Sequence, residues 1–112
     1  MIKVQFSLCR LLTDGHAEQN IYGSDIVCAA VSVLITTLVR QLLFLERNGK
    51  VSKVRFQVEQ GHAGICCEDS LDARMAFSFA ETGLCAIAED YPDYVSIVPG
   101  RPKKAELFRK GR

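Results

Sequence analysis

The stretch from Ser24 to Glu46 constrains this chain more than any other. It opens on two residues that can cap a helix, Ser24 and Asp25, and closes before Asn48-Gly49, a C-terminal stop signal. Between these ends Ile26, Val27, Ala30, Val31, Val33, Leu34, Ile35, Leu38, Val39, Leu42, Leu43, Phe44 and Leu45 fall on every side of the helix. A helix apolar all round must be covered on more than one face. The 112 residues amount to one domain. One sheet and one further helix leave part of that surface open, so a homodimer is expected. The longest uncharged run, Ile26 to Val39, is 14 residues and includes Ser32, Thr36 and Thr37. A bilayer span needs about 20, so the segment reads as a buried helix and no membrane partner is expected.

The flanking segments alternate as strands do. Ile2, Val4 and Phe6 share one face against Lys3 and Gln5, and Ser7 to Arg10 turns the chain into a second short strand, Leu11 to Thr13, ended by Asp14-Gly15. Val51 to Glu59 predicts a strand with Val54, Phe56 and Val58 inward and Lys53, Arg55, Gln57 and Glu59 outward. Gln60-Gly61 breaks it, and Gly64 to Cys67 returns. Asp69 or Ser70 caps a second helix that runs to about Asp90, with Leu71, Met75, Phe79, Thr82 and Ala86 along one stripe. Pro92 stops it and Tyr94 to Val98 forms a last strand. The order hairpin, helix, hairpin, helix, strand implies an α/β (α+β) fold: a small two-layer domain, residues 1–98, with a mixed sheet against two main helices.

Residues 99–112 read as a basic tail. They hold six basic residues and one acid, a net of +5, leaving the body at −4. A dedicated nucleic-acid binder carries its positive charge on the folded face, so the tail reads as a solvated end with at most weak contacts to RNA or another anionic surface. The five cysteines (Cys9, Cys28, Cys66, Cys67, Cys85) form no C-x-x-C pair, and Met1 is not followed by a signal-peptide pattern. Free thiols in a reducing, cytoplasmic setting are expected.

The chemistry concentrates in two short stretches. Gly15-His16-Ala17 ends the second strand, and Cys28 follows twelve residues after the histidine, near the start of the apolar helix. In a first helical turn the dipole and unpaired N–H groups favour an anionic sulfur. An intervening loop of 11 residues, Ala17 to Val27, is long enough to bring imidazole and thiol side by side. Such a pair performs acyl transfer: sulfur attacks, and imidazole takes and then returns the proton. A plainer reading stands beside it, with Cys28 a small core residue and His16 a loop residue.

Gly15-His16-Ala17, a loop containing Tyr22-Gly23, and the run Asp25-Ile26-Val27-Cys28-Ala29-Ala30-Val31-Ser32 resemble the ribosomal-processing cysteine proteases, Prp. The resemblance implies a small homodimeric protease of α/β fold; no cofactor is expected. It would remove an N-terminal extension from the precursor of large-subunit ribosomal protein twenty-seven. Carried onto this sequence, it makes Cys28 the nucleophile and His16 the general base, with Gly15, Asp25 and Ser32 in support. Gly15 would turn the backbone, Asp25 would cap the helix or orient His16, and Ser32 would hold the nucleophile's surroundings or bond back to a helix carbonyl. Backbone N–H groups at the helix start, that of Cys28 among them, would form an oxyanion hole. The loop from Ala17 to Ser24 would close over the peptide.

A second Gly-His-Ala-Gly, Gly61 to Gly64, competes for attention beside Cys66 and Cys67. Adjacent cysteines on a strand point to opposite faces and cannot easily share one ion, so no metal is expected. His62 reads as a turn residue, and His16 is the preferred partner of Cys28. Two other readings remain: a non-catalytic, dimeric ribosome-associated factor whose tail binds RNA, and a thiol hydrolase with another substrate.

Overall fold

The computed structural model describes residues 1–16 and 24–109. Two expected features, the loop with Tyr22-Gly23 and the last basic residues Lys110 and Arg112, lie outside them. The elements are β1 (Ile2–Phe6), β2 (Arg10–Asp14), α1 (Ser24–Arg47), β3 (Arg55–Glu59), β4 (His62–Cys66), α2 (Leu71–Asp90), β5 (Val95–Ile97) and α3 (Lys104–Leu107). The strands form one mixed sheet in the order β3-β4-β2-β1-β5, with only β1 and β5 parallel. The predicted order of elements is therefore present, with α3 added.

Alternation divides the sheet into two faces. Ile2, Val4, Leu11, Ala63, Ile65 and Val95 point to the side covered by α1 and α2 and form the main core with Val27, Val31, Ile35, Leu38, Val39, Leu42, Phe77 and Leu84. Helix α1 is long and apolar enough to cross a membrane; here one face of it packs into this core, while Ile26, Val33 and Phe44 stay exposed, so it is not covered on every side as its composition implied. Its C-terminal signal works as expected, Gly49 N–H bonding to Glu46 O at 3.1 Å and Lys50 N–H to Leu45 O at 2.8 Å. Ser70 caps α2, its Oγ accepting from Ala73 N–H at 3.1 Å.

Four expectations need correction. The buried stripe of α2 is Ala73, Phe77, Ala80 and Leu84, whereas Leu71, Met75 and Phe79 are 74–79% exposed. The helix carries two apolar stripes, and the one with alanines permits the closer approach to α1 and the sheet. Strand β3 begins at Arg55 rather than Val51. Lys53 takes φ +58, which interrupts the extended run. Phe56 and Val58 are on the helix side, yet β3 is an edge strand beyond the helices' cover and both are about half exposed. The first hairpin, by contrast, forms where it was expected, turning through Leu8 and Cys9 at φ 35 and 38, with Ser7 and Arg10 exchanging both backbone bonds at 3.2 Å. That two-residue geometry normally selects Asn-Gly, which is why the sequence marks it poorly.

The fourth correction concerns the tail. Residues 99–109 fold back over the second sheet face instead of leaving into solvent. Leu107 is fully buried with Leu12 and Cys66, and Pro102 is fully buried as well. Gln5 Nε2 donates to Pro99 O and Arg10 Nη1 to Pro102 O, each at 3.0 Å. The sheet therefore has helices on one face and this strap on the other. Replacing Leu107 with Ala should cost about 2–3 kcal/mol in urea denaturation; a solvated tail would show no change.

Candidate active site

The burial of α1 fixes where its polar residues point. Val27, Val31, Ile35, Leu38 and Leu42 face the core. At 100° per residue this turns Asp25, Cys28, Ser32 and Thr36 together along the adjacent side, all four lining one cleft of roughly 340 Å³. Cys28 is half-buried there, while Asp25 and Ser32 are exposed.

The opposite wall comes from the ends of β2, β3 and β4: Thr13, Gly15, His16, Glu59, Gln60, Gly61, His62 and Ala63. Gly15 has φ +104, and a Cβ there would overlap the Met1 carbonyl. Its N–H donates to Gly61 O at 2.9 Å, and the Met1 amino group donates to His16 O at 2.7 Å. The backbone on both sides of the imidazole is thereby held. Gly61, at φ +80, provides the seat: a Cβ at this position would collide with His16 Nε2 and Cε1. The imidazole therefore rests on the turn between β3 and β4.

All five residues singled out from sequence (Gly15, His16, Asp25, Cys28 and Ser32) thus reach one cleft. No hydrogen bond joins His16 to Cys28 across the cleft; contacts between a nucleophile and its base need not be short outside the reacting complex. Thiol and imidazole facing one cleft are the two components of acyl transfer.

Three details differ from expectation. Ser24 already lies within α1, so Asp25 sits in the first turn rather than capping it. Cys28 consequently falls in the second turn, where its N–H belongs to the i→i−4 ladder and not to the free donors an oxyanion hole needs. His62 is not a turn residue. It opens β4, is 4% exposed, and its Nε2–H donates to Leu107 O at 2.9 Å. That bond ties the His62 ring to the strap, although His62 also lines the cleft beside His16.

Gly61 is the residue that sequence reasoning undervalued. Its signal was the repeat of Gly-His-Ala, yet only the β3–β4 turn lying beside the end of β2 reveals that one repeat supports the other. Thr13 and Thr36 also line the cleft without having been singled out. Cys66 and Cys67 do point to opposite sides, Cys66 to the strap and Cys67 to the main core. Burial and the neighbouring Cys9 push the Cys67 thiol up to about 12, and burial raises Cys9. Among the described residues no group of three or more metal-ligating side chains occurs.

A family model described as cysteine protease Prp matches residues 1–96. The ribosomal processing protease Prp of Staphylococcus aureus, solved with a covalently linked product peptide, superposes with a TM-score of 0.72 at 24% identity, covering 87% of this chain and 97% of that one. The same protease with a substrate peptide gives 0.73 at 23% identity, with 88% and 98% covered. The Streptococcus mutans protein SMU.848 gives 0.65 at 26% identity, with 87% and 91% covered. No curated protein matches the chain.

Environment ranks the thiols. At neutral pH iodoacetamide should modify Cys28 first, Cys85 more slowly, and Cys9, Cys66 and Cys67 last, because burial raises the Cys9 and Cys67 thiols and closes access to Cys66. Peptide mapping by mass spectrometry over a time course reads the order directly.

Proposed function

This chain belongs to the Prp family of cysteine proteases, and from that membership we propose a processing endopeptidase that removes the N-terminal extension of large-subunit ribosomal protein twenty-seven, with Cys28 as nucleophile and His16 as general base. The convergence of Cys28, His16, Asp25 and Ser32 on one cleft carries the reading. The peptide-bound ribosomal processing protease of Staphylococcus aureus supports it by similarity.

The steps follow from the groups present. The substrate's scissile carbonyl enters between the two walls. His16 takes the Sγ proton as Cys28 attacks the carbonyl carbon, forming a tetrahedral oxyanion. Collapse expels the amine of the mature protein, which receives that proton from His16, and leaves an acyl thioester on Cys28. Water, deprotonated by His16, then releases the leader peptide's carboxylate and restores the thiol. The Gly61 seat keeps the imidazole from rotating out of reach, and such fixed orientation is a large part of what an active site contributes. Asp25 stands on the same cleft, where its carboxylate can orient the imidazole. The free donors of the first turn of α1 serve the oxyanion.

Three surroundings fit. The acidic body favours encounter with a basic ribosomal protein. Five free thiols suit a reducing cytoplasm. The exposed Leu71, Met75 and Phe79, continuous with Leu34 on α1, supply the apolar surface through which a second copy would dock.

Incubating the precursor ribosomal protein with the wild type should yield the mature N-terminus by mass spectrometry, and Cys28→Ala and His16→Ala should yield none. Full cleavage by either variant would refute the assignment. Gly61→Ala should lower kcat by about 10²-fold with the circular dichroism spectrum retained, because the imidazole is displaced. Phe79→Asp should convert a dimer to monomer in sedimentation velocity; a wild type that is already monomeric would remove the dimer from the proposal.

A further inference from the structure

The strap formed by residues 99–109 lies beyond the part of the chain that the family model matches, residues 1–96. It nevertheless ends beside the active site. We propose that this segment is an intramolecular clamp that positions His16, and that Arg109 is its positioning residue. The proposal rests on His16 being the general base.

The contacts form a continuous path. The Leu107 backbone lies directly on Gly64 of β4, where a Cβ would overlap the Leu107 carbonyl. That carbonyl accepts from the buried His62. Arg55 of β3 lies over the Phe108 ring at 4.3 Å. The Gln57 side chain then holds both backbone groups of Arg109, its Oε1 accepting from Arg109 N–H at 2.6 Å and its Nε2 donating to Arg109 O at 3.0 Å.

So fixed, the Arg109 guanidinium reaches Asp14 Oδ1 at 2.6 Å and Glu59 Oε1 at 3.9 Å. These two carboxylates end β2 and β3, and both pair in register with His62 on the intervening β4. Each lies two residues before a half of the histidine's mount: Asp14 precedes His16, and Glu59 precedes Gly61. Two like charges flanking one strand would push the ends of β2 and β3 apart. A guanidinium between them reverses that force and holds the Gly15–Gly61 backbone bond closed.

Geometry separates this role from general stabilisation. The Arg109–Asp14 pair is about half exposed on both sides, and such pairs add little to stability. Removing it should leave the melting temperature nearly unchanged while loosening the imidazole's mount.

The test uses the full-length chain. Arg109→Ala should lower kcat for precursor cleavage by about tenfold with KM nearly unchanged, and should move and broaden the His16 imidazole NMR signals. Arg109→Lys should recover part of kcat, since a cation is restored without the fork. Asp14→Asn should reproduce the loss, and the double variant should be no worse than either single one. Unchanged kcat and unchanged His16 signals in Arg109→Ala would overturn the clamp. A rise in KM alone, or a loss of kcat in step with a lost fold, would overturn it as well. His16→Ala is run in parallel: if it cleaves normally, the general-base reading fails, while shifted His16 signals in Arg109→Ala would still report the clamp.

Discussion

The rotational setting of α1 against the sheet governs this molecule. Six aliphatic residues, Val27, Val31, Ile35, Leu38, Val39 and Leu42, are buried in the main core, and burying each contributes on the order of 1.5–3 kcal/mol. No other rotation of the helix would bury them all. Once that phase is set, Asp25, Cys28, Ser32 and Thr36 have one direction available, and it opens onto the ends of β2, β3 and β4. The Cys28 thiol is thus positioned by hydrophobic packing that has no direct part in the chemistry proposed for it.

The imidazole is held by a different kind of force. His16 follows the last residue pairs of β2, and its mount is made of backbone: a glycine pair joined by one hydrogen bond, a missing side chain under the ring, and the amino terminus on its carbonyl. Backbone of this kind is only as fixed as the strands that end there. The second sheet face supplies that constraint through Leu107, His62 and the carboxylates around Arg109. A sheet with helices on one side alone would leave the pairs Asp14–His62 and Glu59–His62 facing water.

Several misreadings share one cause. In α2 the stripes through Phe77 and through Phe79 are both apolar at helical spacing, and periodicity cannot say which one meets the core. Alanine at 73 and 80 decides it, since small residues allow α1 and α2 to approach. Likewise Phe56 and Val58 alternate as core residues should, but the sheet order puts β3 at an edge. His62 and His16 sit in the same tripeptide, and only tertiary pairing gives one to the strap and the other to the cleft. The tail's high charge concealed the two residues that dock it, Pro102 and Leu107.

Sequence by itself determined the order of the elements up to β5 and singled out Gly15, His16, Asp25, Cys28 and Ser32, which the fold brings to one cleft, because periodicity, capping and a specific motif are local and survive in one dimension. Tertiary structure alone decided which stripe is buried, which strand is an edge, that Gly61 seats the imidazole, and that the basic segment folds back. Those outcomes depend on contacts between residues tens of positions apart. The free energy that selects them comes from shape and burial in three dimensions, which no local pattern records.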